Sequence, residues 1–209
     1  GYSGHGPSGV MNQSVLVTSQ GQLSTWRYER NFDSWSGRSA DVARHPSLNF
    51  LAIQESGAGP LRLQPLTYGG FPSECKVEDL RLFAHQGEIY ATAALILSRS
   101  RYRDWLPDIS AEAAANNTID DMLVVQAWGQ IDLQRCAFVF KGLPQLEPMG
   151  GAGAVCPSIP TAFEKNWLIH PRGDGAWLLY SVQPWRLFKA TTSLGHWRLV
   201  GERCLGLPE

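Results

Sequence analysis

The chain has few cysteines, and none are paired at metal-ligand spacing. Cys75, Cys136, Cys156 and Cys204 are widely separated and form no CxxC. That argues against a zinc site and implies no disulfide framework, so reduced, mostly buried thiols are expected. An excess of one charge is also missing: 18 Lys and Arg stand against 19 Asp and Glu, for a net charge of -1. The basic residues gather only in short clusters such as Arg99-Ser100-Arg101-Tyr102-Arg103, so nucleic acid is not an expected partner. No apolar run is long enough to span a membrane, and no charged-then-apolar signal opens the chain. A cytoplasmic location with no membrane partner is the expectation. The five histidines are scattered, with none paired at helical metal spacing; His85 and His170 read as loop residues, and neither a metal nor an organic cofactor is expected. GxSxG, P-loop and GxGxxG motifs are absent, and Gly150-Gly151-Ala152-Gly153 reads as a loop.

The 209 residues are 44% hydrophobic, enough for one ordinary core, and include eight tryptophans. In a β-rich chain most tryptophans pack, though flat aromatic rings also serve as platforms for sugars. Two short sequons, Asn12-Gln13-Ser14 and Asn116-Asn117-Thr118, match a pattern with a high chance rate.

An internal repeat carries most of the information. Asn12-Gln13-Ser14-Val15-Leu16-Val17 reaches Gly21 and returns as Gln22-Leu23-Ser24-Thr25-Trp26-Arg27. Glu78-Asp79-Leu80-Arg81-Leu82-Phe83 reaches Gly87 and returns as Glu88-Ile89-Tyr90-Ala91-Thr92-Ala93. Glu164-Lys165-Asn166-Trp167-Leu168-Ile169 reaches Gly173 and returns through Trp177-Leu178-Leu179-Tyr180-Ser181. A polar head, an apolar run and a glycine nine residues after the head predict a strand, a tight turn and a second strand each time. Recurrence of that unit predicts radially repeated sheets, an all-β propeller with about three four-stranded blades starting near residues 12, 78 and 164. The innermost strands of such blades begin near the axis, where the three polar heads would converge.

Residues 1–10, with four glycines, read as a flexible lead-in, and residues 11–209 as one propeller-like domain. Further strands are predicted at Leu48–Gln54, Leu61–Leu66, Met122–Trp128, Arg135–Lys141, Trp185–Ala190 and His196–Val200. Residues 109–121, containing Ala111-Glu112-Ala113-Ala114-Ala115, predict one short helix. A closed propeller has four to eight blades, so three imply blades missing from the C-terminal side or a ring closed by a second chain, a homo-oligomer.

Glu78 and Asp79 are the strongest candidates for chemistry. Adjacent carboxylates on a regular strand point to opposite sides, so only one should face the axis. A carboxylate held partly out of water can serve as a general acid. Arg81, two residues beyond Asp79, would share its face and hold it ionised or bind an anion. The plainer alternative is a structural Asp79–Arg81 ion pair. Glu164 offers an opposing carboxylate, Lys165 an anion or hydroxyl ligand and Trp167 a stacking surface; an edge salt bridge with a core tryptophan is the alternative. Asn12 and Arg27 add a hydroxyl ligand and an anion contact from the first unit.

Val77-Glu78-Asp79-Leu80-Arg81-Leu82-Phe83 with Gly87-Glu88-Ile89-Tyr90 resembles the "EDPR" blade opening of five-bladed propeller glycosidases, nearest to the β-mannoside phosphorylase and mannosidase family. Phe163-Glu164-Lys165-Asn166-Trp167 followed by Leu178-Leu179-Tyr180-Ser181-Val182-Gln183-Pro184 is similar to that family's "EKNW…YS…P" blade, and Asn12-Gln13-Ser14 to its first-blade "NPS". Leu80 and Gln13 stand where the family has proline. The resemblance implies a glycoside phosphorylase or hydrolase acting on β-mannosides or related oligosaccharides. Asp79 would be the general acid, with Glu78 and Glu164 as further catalytic candidates. Asn12, Arg27, Arg81, Lys165, Asn166 and Trp167 would bind substrate. Phosphate as co-substrate, or water, would attack the anomeric carbon with inversion. Two other readings stand beside it: a non-catalytic carbohydrate-binding propeller and an interaction module.

Overall fold

The computed structural model describes residues 9–29, 48–56, 59–69, 75–98, 118–119, 122–147, 168–172, 175–182, 185–191 and 193–203. These residues form an all-β structure of three sheets, with no helix among them. The first sheet is an antiparallel meander of β1 (Gly9–Thr18), β2 (Gly21–Glu29), β3 (Leu48–Glu55) and β4 (Arg62–Pro65). The chain then crosses as β5 (Thr67–Gly69) to the second sheet. There β6 (Lys76–His85), β7 (Glu88–Ser98), β9 (Met122–Asp132) and β10 (Ala137–Gly142) pair in order, and β8 (Thr118–Ile119) adds to β9. β5 lies parallel along β10, at the outer edge. The third sheet repeats the scheme: β11 (Gln145–Glu147) crosses over and lies parallel along β15, beyond the meander of β12 (Leu168–Arg172), β13 (Gly175–Val182), β14 (Trp185–Ala190) and β15 (His196–Arg203).

The hairpins follow from turn chemistry. His85 pairs with Glu88 around Gln86-Gly87, both at positive φ (50° and 82°), the backbone of a two-residue turn whose twist matches the flanking strands. At the β9–β10 turn Asp132 accepts hydrogen bonds from the backbone N–H groups of Gln134 and Arg135, both at 3.0 Å, before Cys136 turns the chain at φ 49°.

The second sheet lies between the other two. Leu80, Leu82, Ala91, Ala93, Leu95, Leu123, Val125 and Phe138 pack one of its faces against Leu23 and Leu51 of the first sheet. Phe83, Tyr90 and Trp128 on its other face pack with Ala176, Leu178, Phe188 and Trp197 of the third. A strand buried on both faces reads as an unbroken apolar run rather than an alternation, and Ala91–Leu97 is such a run, interrupted only by Thr92. At Gly129 the sheet admits no side chain: a Cβ there would lie 2.5 Å from the Val139 carbonyl oxygen and 2.7 Å from the Phe138 ring.

β6 ends the second sheet and packs against both β1 and β12, the first strands of the other two sheets. Its unpaired edge is satisfied by side chains of the first sheet. Thr25 Oγ1 donates to the Leu80 carbonyl at 3.0 Å, Asn49 Nδ2 to the Val77 carbonyl at 2.8 Å, and the Leu82 N–H donates to Ser14 Oγ at 2.9 Å. The outer face of the first sheet carries Val15, Val17 and Leu63 exposed, and Leu168 at the start of β12 is exposed as well.

Several details differ from the sequence reading. β1 starts at Gly9, inside the expected lead-in, because Gly9 and Val10 pair with Glu29 and Tyr28. The second and third sheets exceed four strands because each receives the crossing segment of the preceding unit. The alanine stretch of the expected helix, Ala111–Ala115, lies outside the described residues. Thr118–Ile119, at its end, is strand β8, two β-branched residues paired with Met122 and Leu123. His85 closes β6 and His170 lies within β12, so neither is a loop residue.

Candidate functional site: a carboxylate-arginine cluster at a bulge in β6

Regular pairing of β6 with β7 stops at Glu78↔Ala94 and resumes at Arg81↔Thr92, so one extra residue is inserted in β6. Asp79 adopts φ 53°, the left-handed region that costs most residues energy and that Asp tolerates better than most. The bulge changes where the side chains go. Glu78 is 1% exposed and Asp79 is 20% exposed, yet both carboxylates reach one guanidinium. Arg27 Nη1, arriving from β2 in the first sheet, lies 3.1 Å from Glu78 Oε2 and 3.5 Å from Asp79 Oδ1. Lys76 Nζ lies 2.6 Å from the other Glu78 oxygen. Each Glu78 oxygen thus faces a cation, and the four charges cancel.

The expectation that only one of the adjacent carboxylates could face the site is therefore corrected: the inserted residue breaks the two-residue alternation on which it rested. Asp79 is paired with Arg27, and the bulge places Arg81 one register step beyond it, opposite Thr92. Asn12 sits in β1 opposite Trp26, at a second register shift between Asn12 and Ser14. Glu164, Lys165, Asn166 and Trp167 lie outside the described residues. Among the predicted groups the structure brings together Arg27, Glu78 and Asp79.

The two carboxylates divide by environment. Glu78 is closed off from water and bound on both oxygens, so it anchors Arg27 and Lys76. Asp79 is the carboxylate that solvent or a ligand can reach. Lys76 was missed by the sequence reading, although its place two residues before Glu78 puts it on the same face.

Two further polar groups were missed. Thr92 is fully buried and Gln126 is 2% exposed; the Thr92 hydroxyl and both amide atoms of Gln126 have no hydrogen-bond partner among the described residues. Each such atom costs on the order of 1–3 kcal/mol. Their signal in the sequence was a polar residue interrupting an apolar strand, Thr92 within Ala91–Leu97 and Gln126 within Leu123–Ala127.

Elsewhere, burial pushes the Cys75 thiol up to about 12, opposed by a hydrogen bond with the Ile96 backbone, so this thiol is protonated at neutral pH and is no nucleophile. Burial likewise raises Tyr68, while its bond with Asn49 pulls the other way. A cleft of about 520 Å³ lined by Gln22, Leu23, Gln54, Ile89 and Arg62 lies at the β1–β2 turn, the opposite end of β2 from Arg27. Compared with family models and with curated proteins, the chain matches none.

Proposed function

We propose that the chain is a carbohydrate-active protein of propeller architecture, a glycoside hydrolase or phosphorylase acting on β-mannosides or related oligosaccharides, with Asp79 as general acid. The observation that carries this reading is the bulge in β6. It spends backbone strain to present one accessible carboxylate beside a buried Arg27–Glu78–Lys76 set whose excess positive charge it balances. Strain of this kind clusters where geometry serves function. The propeller part is supported by three sequential meanders whose first strands lie together, β6 against β1 and β12. In this reading Asp79 donates its proton to the departing glycosidic oxygen, directly or through a sugar hydroxyl. Water or phosphate attacks the anomeric carbon from the other side, inverting it. Arg27 positions Asp79 and is itself fixed by Glu78.

A non-catalytic carbohydrate-binding role is the second reading, favoured by the engagement of Arg27 Nη1 with two carboxylates at once. Asp79→Asn separates the two. Release of mannose or mannose 1-phosphate from β-1,4-mannobiose, with and without phosphate, is assayed alongside affinity by calorimetry. Turnover lost with affinity kept within about threefold supports the enzyme. Affinity without turnover in the wild type supports the binder. Neither binding nor turnover refutes both readings.

A further inference from the structure

The outer face of the third sheet differs from the faces packed between sheets. Its inner face carries Ile169, Leu178, Phe188 and Leu199 in one row across β12–β15, and this apolar row packs on the second sheet. Side chains alternate across a strand, so the neighbouring rows point away from that core. One of them runs His170, Trp177, Lys189 and Arg198 across the four strands, with Glu147 of β11 next in register. Arg172 stands two residues beyond His170 on β12, and Arg203 lies opposite Trp185. His170, Arg172, Lys189, Arg198 and Arg203 are all exposed. Arg186 and Glu202 are largely buried, satisfy one another at 2.7 Å and add no charge to this face. The remaining carboxylate of residues 168–203 is Asp174, in the link between β12 and β13. Set against both Glu147 and Asp174, the four cations Arg172, Lys189, Arg198 and Arg203 still leave an excess of positive charge, in a chain whose net charge is -1.

We propose that this face is a docking surface for an acidic oligosaccharide, a short run of sugar rings bearing carboxylates. A face made to receive another sheet carries apolar rows, as the first sheet does with Val15, Val17 and Leu63. Covering the Lys189–Arg198 row with such a sheet would strip its charges of water without pairing them. An anionic ligand pairs them instead. The arginines offer bidentate contacts to carboxylates. Lys189 Nζ lies 5.8 Å from the centroid of the Trp177 ring, so cation and ring present together. The flexible lysine stem lets the ammonium follow an anion and uncover the ring for the apolar side of a sugar. A short ligand suits the charge distribution. The face is four strands, roughly 15 Å, across, and outside it the chain is net negative, so a long polyanion running past the cations meets repulsion. The choice of a glycan rests on the carbohydrate reading above. The surface itself is turned away from the second sheet, which holds Asp79, and it performs no chemistry.

The test titrates wild type, the double variant Arg172→Gln/Lys189→Gln and Trp177→Leu with tetragalacturonate, and separately with oligothymidylate and β-1,4-mannobiose. Tetragalacturonate should bind the wild type, and at least tenfold more weakly at about 1 M than at about 0.1 M salt, as the screening length falls from about 10 to about 3 Å. The double variant should lose at least tenfold in that affinity. Trp177→Leu, which changes no charge, should also weaken it and so separates a built surface from general attraction. Affinity for and turnover of mannobiose should be the same in all three proteins. Absent tetragalacturonate binding, or equal binding by wild type and both variants, overturns the proposal and leaves the Asp79 reading intact. Tighter binding of oligothymidylate than of tetragalacturonate assigns the face to nucleic acid and overturns it. A doubled mass in sedimentation that reverts in the double variant assigns the face to a second copy and overturns it too. Failure of the Asp79 reading is seen separately, as mannobiose neither bound nor cleaved while tetragalacturonate binding and its loss in the variants still support the surface.

Discussion

Removing Arg27 is the sharpest physical test of the cluster. At 3.1 Å from Glu78 Oε2, the guanidinium contributes a Coulomb attraction of about 5 kcal/mol at an effective dielectric constant near 20. Desolvation of two buried ions, several kcal/mol each, offsets most of that attraction, so the intact pair is worth little net. Loss of one partner is different, because Glu78 would remain buried with Lys76 alone and Asp79 would lose its described cation. Arg27→Met should therefore cost about 3–5 kcal/mol. With a urea slope of about 2 kcal/mol/M, the midpoint falls by roughly 1.5–2.5 M. Adding Glu78→Leu to Arg27→Met should recover much of the loss, because the uncompensated charge goes with it. Equilibrium urea unfolding of wild type, both single variants and the double variant completes the cycle. A cost below about 1 kcal/mol for Arg27→Met, or a double variant as unstable as the sum of the singles, refutes the assignment of Glu78 as a buried anchor.

Asn49→Ala removes the side chain that satisfies the Val77 carbonyl on the edge of β6. It should destabilise by about 1–3 kcal/mol, read as a melting midpoint lowered by roughly 2–4 °C per kcal/mol; an unchanged midpoint refutes the edge-satisfaction argument. Gly129→Ala should cost about 1–3 kcal/mol by forcing Phe138 or the β10 backbone aside, measured by the same unfolding curves. The Cys75 thiol, raised from 9.0 to about 12 on folding, keeps its proton in the native state where the unfolded chain has lost it. Its stabilisation is complete below pH 9 and is lost as pH rises from about 9 to about 12. Urea midpoints at pH 8 and pH 10.5 should fall less in Cys75→Ala than in wild type, and parallel losses would show that Cys75 carries none of the effect.

Much of the fold was legible in the chain because the signals were local. Turn glycines and apolar runs placed β1, β2, β6 and β7, and the two later runs placed β14 and β15 within a few residues. Leu123, Val125, Ala127 and Ile131 share one face of β9, and the alternation continues past the predicted end at Trp128 to Asp132. The crossing strands β5 and β11 had no such signal. Each is three residues long, and each becomes a strand only because an outer edge, β10 or β15, is present to pair with it. That is tertiary context, invisible in a window of sequence.

The site was half legible for a related reason. Residue type pointed to Arg27, Glu78 and Asp79, since an arginine and adjacent carboxylates among apolar strands need partners. Pairing could not be read, because it depends on register, and a bulge without glycine leaves no mark in the sequence. Applied to a regular strand, the two-residue period gives Asp79 to Arg81 and separates Glu78 from Asp79. One inserted residue reverses both results: it turns Asp79 into the left-handed region and lets Glu78 and Asp79 share Arg27. The same insertion keeps Val77 and Leu80 on the face packed against the first sheet, so the core of that sheet is undisturbed while the chemistry is rearranged. A bulge at the edge of a central sheet is thus where this chain can change its polar geometry without changing its packing, and that separation makes Asp79 the position from which function should be tested.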